Sequence, residues 1–222
     1  MPGNETDSST LTALQRDLLR EFFARERRFF LTGGAALAGY TFHHRTTDDL
    51  DLFAAPPLDL DEGDRALGDC AQALGLVLTR VSRHADFHRW RAVRGSETCI
   101  VDLVLDRTPM IDSTKREVGA IRLDTLRELA ANKVCAPIGR SEVRDLVDLR
   151  VLLGSGIELE SALRDAATKE AGADPATLAW TLSQLSLDPQ AKLPGGVSAV
   201  ELDVFRLELI AQLTRLARAA AP

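Results

Sequence analysis

Positive charge is in short supply: 27 Lys and Arg face 33 Asp and Glu in 222 residues, for a formal net charge of -6. That balance excludes a broad, sequence-indifferent nucleic-acid surface, so any polynucleotide must meet a local basic patch. Long hydrophobic runs are missing as well, and none approaches the roughly 18 residues that a membrane-spanning helix needs. The opening MPGNETDSST is polar, with no basic segment ahead of an apolar one. Neither a signal peptide nor a membrane span is expected. Cysteine is scarce. Cys70, Cys99 and Cys135 are odd in number, lack C-x-x-C spacing and each sit in an apolar stretch. They therefore read as small buried thiols in a reducing cytoplasm rather than as a disulfide framework. Internal repeats and low-complexity tracts are also absent.

What is present suffices for an ordinary core: the chain is 45% hydrophobic and 27% charged, which fits one or two globular domains. Its two halves differ in texture. Between about residues 29 and 123, β-rich segments (29–32, 50–53, 77–82, 87–93 and 99–105) alternate with helix-like ones (34–43 and 62–74), which predicts a mixed α/β sheet. An amphipathic helix over 10–28 is expected to cover one edge of that sheet. From Asp124 onward, apolar residues recur three and four apart, which predicts a helical bundle. Gly139, Gly154, Gly156, Pro194, Gly195 and Gly196 punctuate its helices. The fold class is therefore α/β, or α+β, with a core over 1–123 and a helical domain over 124–222.

Four segments carry chemistry. In LTGGAALAGY a short strand runs into Gly33 and Gly34 and then into a helical stretch, so backbone N–H groups and a helix dipole could face an anion such as a triphosphate. Tight turns of this kind also arise for purely structural reasons. In HHRTTDDLDLF, Asp49 and Asp51 stand two apart among Leu50, Leu52 and Phe53, and period two puts both carboxylates on one strand face. Like charges so placed repel unless a cation is shared, and hard oxygen ligands suit Mg²⁺ or Mn²⁺. Asp59 and Asp61 repeat the spacing, but two prolines precede them and a helix follows, so capping accounts for that pair. In CIVDLVLD, Asp102 interrupts an otherwise apolar strand, where a carboxylate is costly unless paired or metal-bound. His43 and His44 at a helix end complement its dipole. Finally, Arg80, Arg83, His84, His88, Arg89, Arg91 and Arg94, with Phe87 and Trp90 among them, form a candidate basic patch or simply a solvated face.

The ordered motifs G-G-x-A-L, H-R-x-T-x-D-L-D-L-F, a lone Asp in a later strand, and LRELAANKVCAPIGRSEVRDLVDL resemble the nucleotidyltransferase AbiEii toxin family of the DNA polymerase β-like superfamily. The resemblance spans roughly residues 29 to 153. It implies that Gly33, Gly34, Arg45 and Thr47 meet an NTP and that Asp49, Asp51 and Asp102 hold Mg²⁺ or Mn²⁺. It also implies that Lys133 and one acid of the Asp145/Asp148 pair complete the catalytic set. The wider superfamily often has serine where this chain has Gly34. The implied activity is transfer of a nucleotide to an acceptor hydroxyl, by the toxin of a toxin-antitoxin or phage-defence pair. A tRNA end or a protein hydroxyl would be the acceptor and a cognate antitoxin the partner. Rivals are an aminoglycoside nucleotidyltransferase, whose cationic substrate suits the acidic composition, and a pseudoenzyme that only binds nucleotide. Both Asp49→Asn and Lys133→Ala are expected to abolish transfer and leave the fold intact.

Overall fold

The computed structural model describes residues 10–140 and 142–219; the polar segment 1–9, on which the expectation about a signal peptide leans, lies outside them. The chain divides into two compact units. One takes the described residues up to Thr108 together with Thr114–Thr125, and the other takes Pro109–Ser113 and the chain from Leu126.

The first unit opens with helix α1 (Ala13–Arg25), which a reciprocal pair of bonds starts. The Thr12 hydroxyl accepts from the Gln15 N–H at 3.2 Å, and the Gln15 side-chain oxygen accepts from the Thr12 N–H at 2.8 Å. Leu14, Leu18, Leu19, Phe22 and Phe23 line its buried side. Seven strands follow: β1 (Phe30–Thr32), β2 (Asp49–Ala54), β3 (Val77–His84), β4 (Phe87–Arg94), β5 (Glu97–Leu105), β6 (Arg116–Val118) and β7 (Ile121–Leu123), with helix α2 (Leu60–Leu74) between β2 and β3. They form one mixed sheet in the order β3-β4-β5-β2-β1-β7-β6, parallel at β2/β5 and β1/β7 and antiparallel elsewhere. A mixed α/β core is what the alternating pattern predicts. The hairpin β6/β7 is an addition to the strands predicted from sequence.

The two faces of the sheet follow from alternation. Leu50, Leu52 and Ala54 of β2 are buried, as are Val101, Leu103 and Leu105 of β5, while Asp49, Asp51 and Phe53 point the opposite way. Both helices pack on the Leu50 face, with α2 against β3, β4 and β5. Helix α1 touches α2, β5 and β7, strands that flank β2 and β1. It thus crosses the middle of the face rather than the expected edge, because its run of five buried Leu and Phe needs a surface wider than one strand.

The second unit is helical: α3 (Leu126–Gly139), α4 (Val143–Gly154), α5 (Leu159–Lys169), α6 (Pro175–Gln184) and α7 (Ala199–Ala219). Asp174 caps α6, its carboxylate accepting from the N–H groups of Ala176 and Thr177 at 2.8 and 3.0 Å. The 109–113 segment joins this unit through Glu128, whose buried carboxylate accepts from the Ile111 and Asp112 N–H groups at 2.9 and 3.1 Å and from the Lys169 ammonium. Among the described residues, no helix is long and apolar enough to cross a membrane.

Candidate functional site

Register aligns the acids. Asp51 of β2 stands opposite Asp102 of the parallel neighbour β5, Thr32 of β1 stands opposite Asp51, and Arg89 of β4 stands opposite Asp102. Paired residues on adjacent strands point to the same face. The row Thr32–Asp51–Asp102–Arg89 therefore crosses four strands on the face opposite α1 and α2. Asp49 occupies the next row, with Ile100 and Arg91.

Each member of this face is held. The Thr47 hydroxyl donates to Asp49 Oδ1 at 2.6 Å, and the Thr47 carbonyl in turn accepts from Gln15 Nε2 of α1 at 2.8 Å. Arg89 donates from Nε and Nη2 to the two oxygens of Asp102 at 2.8 and 2.7 Å. That contact with Asp102, reinforced by the charges of Asp49 and Asp51, raises the pKa of Arg89 against the opposing effect of burial. The Thr32 hydroxyl, by contrast, is buried and has no hydrogen-bond partner. An orphaned hydroxyl beside two carboxylates is expensive in a sealed core and reasonable where a ligand completes the set.

The glycine turn lies directly over Asp51. Gly33 adopts φ +63°, and a Cβ placed on it would lie 2.1 Å from Asp51 Oδ2, so both backbone and space demand glycine. A Cβ on Gly34 would meet Arg45 Nη2 at 2.8 Å and Thr47 Oγ1 at 3.1 Å. The space beside Gly34 is thus already taken by a guanidinium and a hydroxyl, both on buried residues. That crowding gives a physical reason for the missing serine side chain. After Gly34 the chain enters a π-helical turn, Ala35–Gly39, whose five residues are all buried. Gly33→Ala should therefore cost about 1–2 kcal/mol from the left-handed backbone alone, plus whatever it takes to push Asp51 aside. Thermal melting measures the first effect and Mn²⁺ titration the second. An unchanged melting curve with unchanged Mn²⁺ binding would remove the turn from the site.

In the second unit, Lys133 Nζ lies 2.9 Å from Asp145 Oδ1 and 2.7 Å from Asp148 Oδ2. Arg140 adds bonds to Asp145 at 3.1 and 3.3 Å. Both acids meet Lys133, where the resemblance left a choice of one. The side chains of Lys133, Asp145 and Asp148 are 6%, 1% and 0% exposed, so this is a buried ion triad rather than a surface pair.

The basic stretch does not form one patch. Arg89 and Arg91 share the carboxylate face, whereas Arg80 and Arg83 face α2, donating to Asp64 and Asp61. A bulge between Arg80 and Ser82 puts two arginines three residues apart on the same side. Arg80 also stacks over Trp90 at 4.5 Å, and Arg94 pairs with Asp17.

Two sets of side chains deserve comparison as metal ligands. Asp61, Asp64 and His88, on the α2 face, bring three ligand atoms within 4.8 Å of one another and could hold a cation. Both acids already serve other groups there, Asp61 the guanidinium of Arg83 and Asp64 those of Arg80 and the Trp90 N–H, so a cation would have to displace them. Asp59, the other half of the repeated D-x-D, caps α2 by accepting from the Asp61 N–H at 3.0 Å. Asp49, Asp51 and Asp102 are not drawn into so tight a trio: Asp49 turns to Thr47 and Asp102 to Arg89. The second set offers a hard divalent cation three carboxylates on one strand face, with Arg89 on Asp102 as a guanidinium that a cation would have to displace.

Sequence reasoning missed three residues here: Thr32, the pairing partner role of Arg89, and Lys115. Lys115 is buried, bonded to Asp124 at 2.6 Å and stacked 4.0 Å from the Phe30 ring, on the carboxylate face. Thr32 could have been noticed as a polar residue ending an apolar strand before Gly33. Nothing in the local sequence marks the other two. The cysteines take no part. Burial pushes the Cys70 and Cys99 thiols up to about 12 and the Cys135 thiol to about 11, which leaves them protonated and unreactive.

Comparison with known proteins gives a consistent picture. The sequence model of a family described as "Nucleotidyl transferase AbiEii toxin, Type IV TA system" matches residues 16–220. No curated protein sequence matches significantly. Among solved structures, a candidate nucleotidyltransferase from H. pylori superposes with a TM-score of 0.58 at 20% identity, over 91% of this chain and 94% of its own. JHP933 from Helicobacter pylori superposes with a TM-score of 0.56 at 20% identity, over 93% of each chain. These two likenesses support the fold.

Proposed function

We propose, from the premise that the chain belongs to the AbiEii nucleotidyltransferase toxin family, that its nucleotidyl transfer depends on divalent metal and is carried by the face bearing Asp49, Asp51 and Asp102. The observation that carries this reading is Asp51 opposite Asp102 across β2 and β5, beneath the Gly33 turn. Two divalent cations on these carboxylates would stabilise charge on the attacking and departing oxygens. The chain's own residues do the rest. The N–H groups at the Gly33–Gly34 turn and the Arg45 guanidinium take phosphate oxygens, and Thr47 fixes Asp49. An acceptor hydroxyl oxygen bonds to the α-phosphorus of the NTP, its proton passes to Asp102, and the bond to pyrophosphate breaks.

The biological reading is the toxin of a toxin-antitoxin or phage-defence pair, acting in the cytoplasm on a tRNA end or a protein hydroxyl, with a cognate antitoxin. Exposed Arg91, in the same row as Asp49, supports a polyanionic acceptor over a cationic aminoglycoside. Incubation with each labelled NTP, Mg²⁺ and total RNA tests the reading, and the expected product is labelled RNA. Label on the protein alone would move the acceptor to a protein hydroxyl, and no transfer from any NTP would defeat the reading. Arg91→Glu should weaken RNA binding and lower its salt dependence, while Arg80→Glu, on the opposite face, should leave both unchanged.

A further inference from the structure

We infer that Arg89 is a displaceable internal counter-ion, which closes Asp102 while no cation is bound and must leave that carboxylate when one enters. The inference rests on the preceding reading of the carboxylate face.

Three observations carry it. Arg89 engages both oxygens of Asp102, at 2.8 and 2.7 Å, and so covers the positions through which the acid would grip a metal. The Asp102 side chain is 6% exposed and that of Arg89 is 44%, so the guanidinium stands on the solvent side of the acid and can move outward without disturbing the core. Asp51, opposite Asp102, and Asp49 in the next row add negative charge to the same face, and of the positive groups there, Arg89 is the one seated on both oxygens of Asp102. A guanidinium does not give up its proton at accessible pH. It therefore cannot make way for a metal by losing charge, as a lysine can. Guanidinium and metal repel each other at the same oxygens, so entry of one requires withdrawal of the other. Free protein then pays no penalty for a bare buried carboxylate, and the third ligand becomes available only to a cation strong enough to take it.

Mn²⁺ binding to the full chain, followed by the electron paramagnetic resonance signal of the free ion, tests this without reference to activity. Arg89→Met should bind Mn²⁺ at least tenfold more tightly than wild type. Arg89→Lys, which keeps the charge but cannot hold both oxygens, should show a smaller gain in the same direction, and it serves as the test if the Met variant does not fold. The gain must disappear when Asp102→Asn is added. Unchanged or weaker Mn²⁺ binding in the Arg89 variants would overturn the inference. A gain that persists with Asp102→Asn would also overturn it, since that gain would come from relieved repulsion at a distance. Asp49→Asn separates the two layers of argument. If it abolishes Mn²⁺ binding while Arg89→Met matches wild type, only the role of Arg89 fails. If it leaves wild-type binding untouched, the carboxylate face is not the metal site and both readings fail.

Discussion

Asp49→Asn is expected to slow nucleotide transfer by more than about a hundredfold, equivalent to about 2.7 kcal/mol of transition-state stabilisation, while melting no lower than wild type. The two halves of this expectation have separate causes. Asparagine matches aspartate in shape and keeps an oxygen where the Thr47 hydroxyl now donates at 2.6 Å. The Thr47 carbonyl keeps its bond from Gln15, which anchors this part of the strand to α1. Removing one of three acids from a common face also relieves repulsion in the metal-free protein. Catalysis has no such compensation, because a neutral amide is a poor ligand for Mg²⁺ and metal ions supply several kcal/mol to transfer at phosphorus. Mg²⁺ and Mn²⁺ should accordingly raise the melting temperature of wild type by mass action and raise that of the variant less. Transfer assays beside melting curves with and without metal check both halves. Full activity in Asp49→Asn, or equal stabilisation of the two proteins by metal, would remove Asp49 from the site.

The residues that frame this face differ in how plainly they could be read. β2 was visible because acids at every second residue among Leu and Phe read as a strand with opposed faces, and β5 because a run of Ile, Val and Leu interrupted by one acid reads as a strand. The partnership of Asp51 with Asp102 was not visible, since the register between strands about fifty residues apart is a tertiary property that neither segment carries alone. Arg89 shows the same limit. Within its own stretch it is one arginine of several, and only the pairing of β4 with β5 makes it the partner of Asp102. Arg80 was grouped with Arg89 and Arg91 by proximity in sequence, yet strand alternation sends Arg80 to the opposite face. The π-helical turn after Gly34 reads as ordinary helix in sequence, because alanine, leucine and glycine in AALAG carry no mark of a wider turn. In the helical unit, Lys133, Asp145 and Asp148 were visible as a set through the family resemblance. Their burial was not, because a charged residue on a helix defaults to a solvated position in any periodicity argument.

That burial reverses one expectation and sets the largest stability effect. Lys133→Ala should not leave the fold intact: it should destabilise the protein by about 3–5 kcal/mol, the range for removing one partner of a buried ion pair. Asp145 and Asp148 lie one turn apart on α4 and share the Lys133 ammonium from α3, with both acids essentially inaccessible to water. Without Lys133, the two buried carboxylates lose the ammonium that they share at 2.9 and 2.7 Å, although Asp145 retains its bonds from Arg140. For a chain of this size the melting temperature should fall by roughly 10 °C. Lost transfer in Lys133→Ala would therefore be ambiguous, since unfolding alone could cause it. Combining Lys133→Met with Asp145→Asn and Asp148→Asn removes the carboxylate charges along with the ammonium, so that the buried cluster no longer holds acids deprived of their shared counter-ion. The triple variant should melt several degrees above Lys133→Ala. If it recovers stability and still fails to transfer a nucleotide, this cluster serves the chemistry. If transfer returns with stability, Lys133 is a structural ion, and the catalytic role assigned to it by resemblance is wrong.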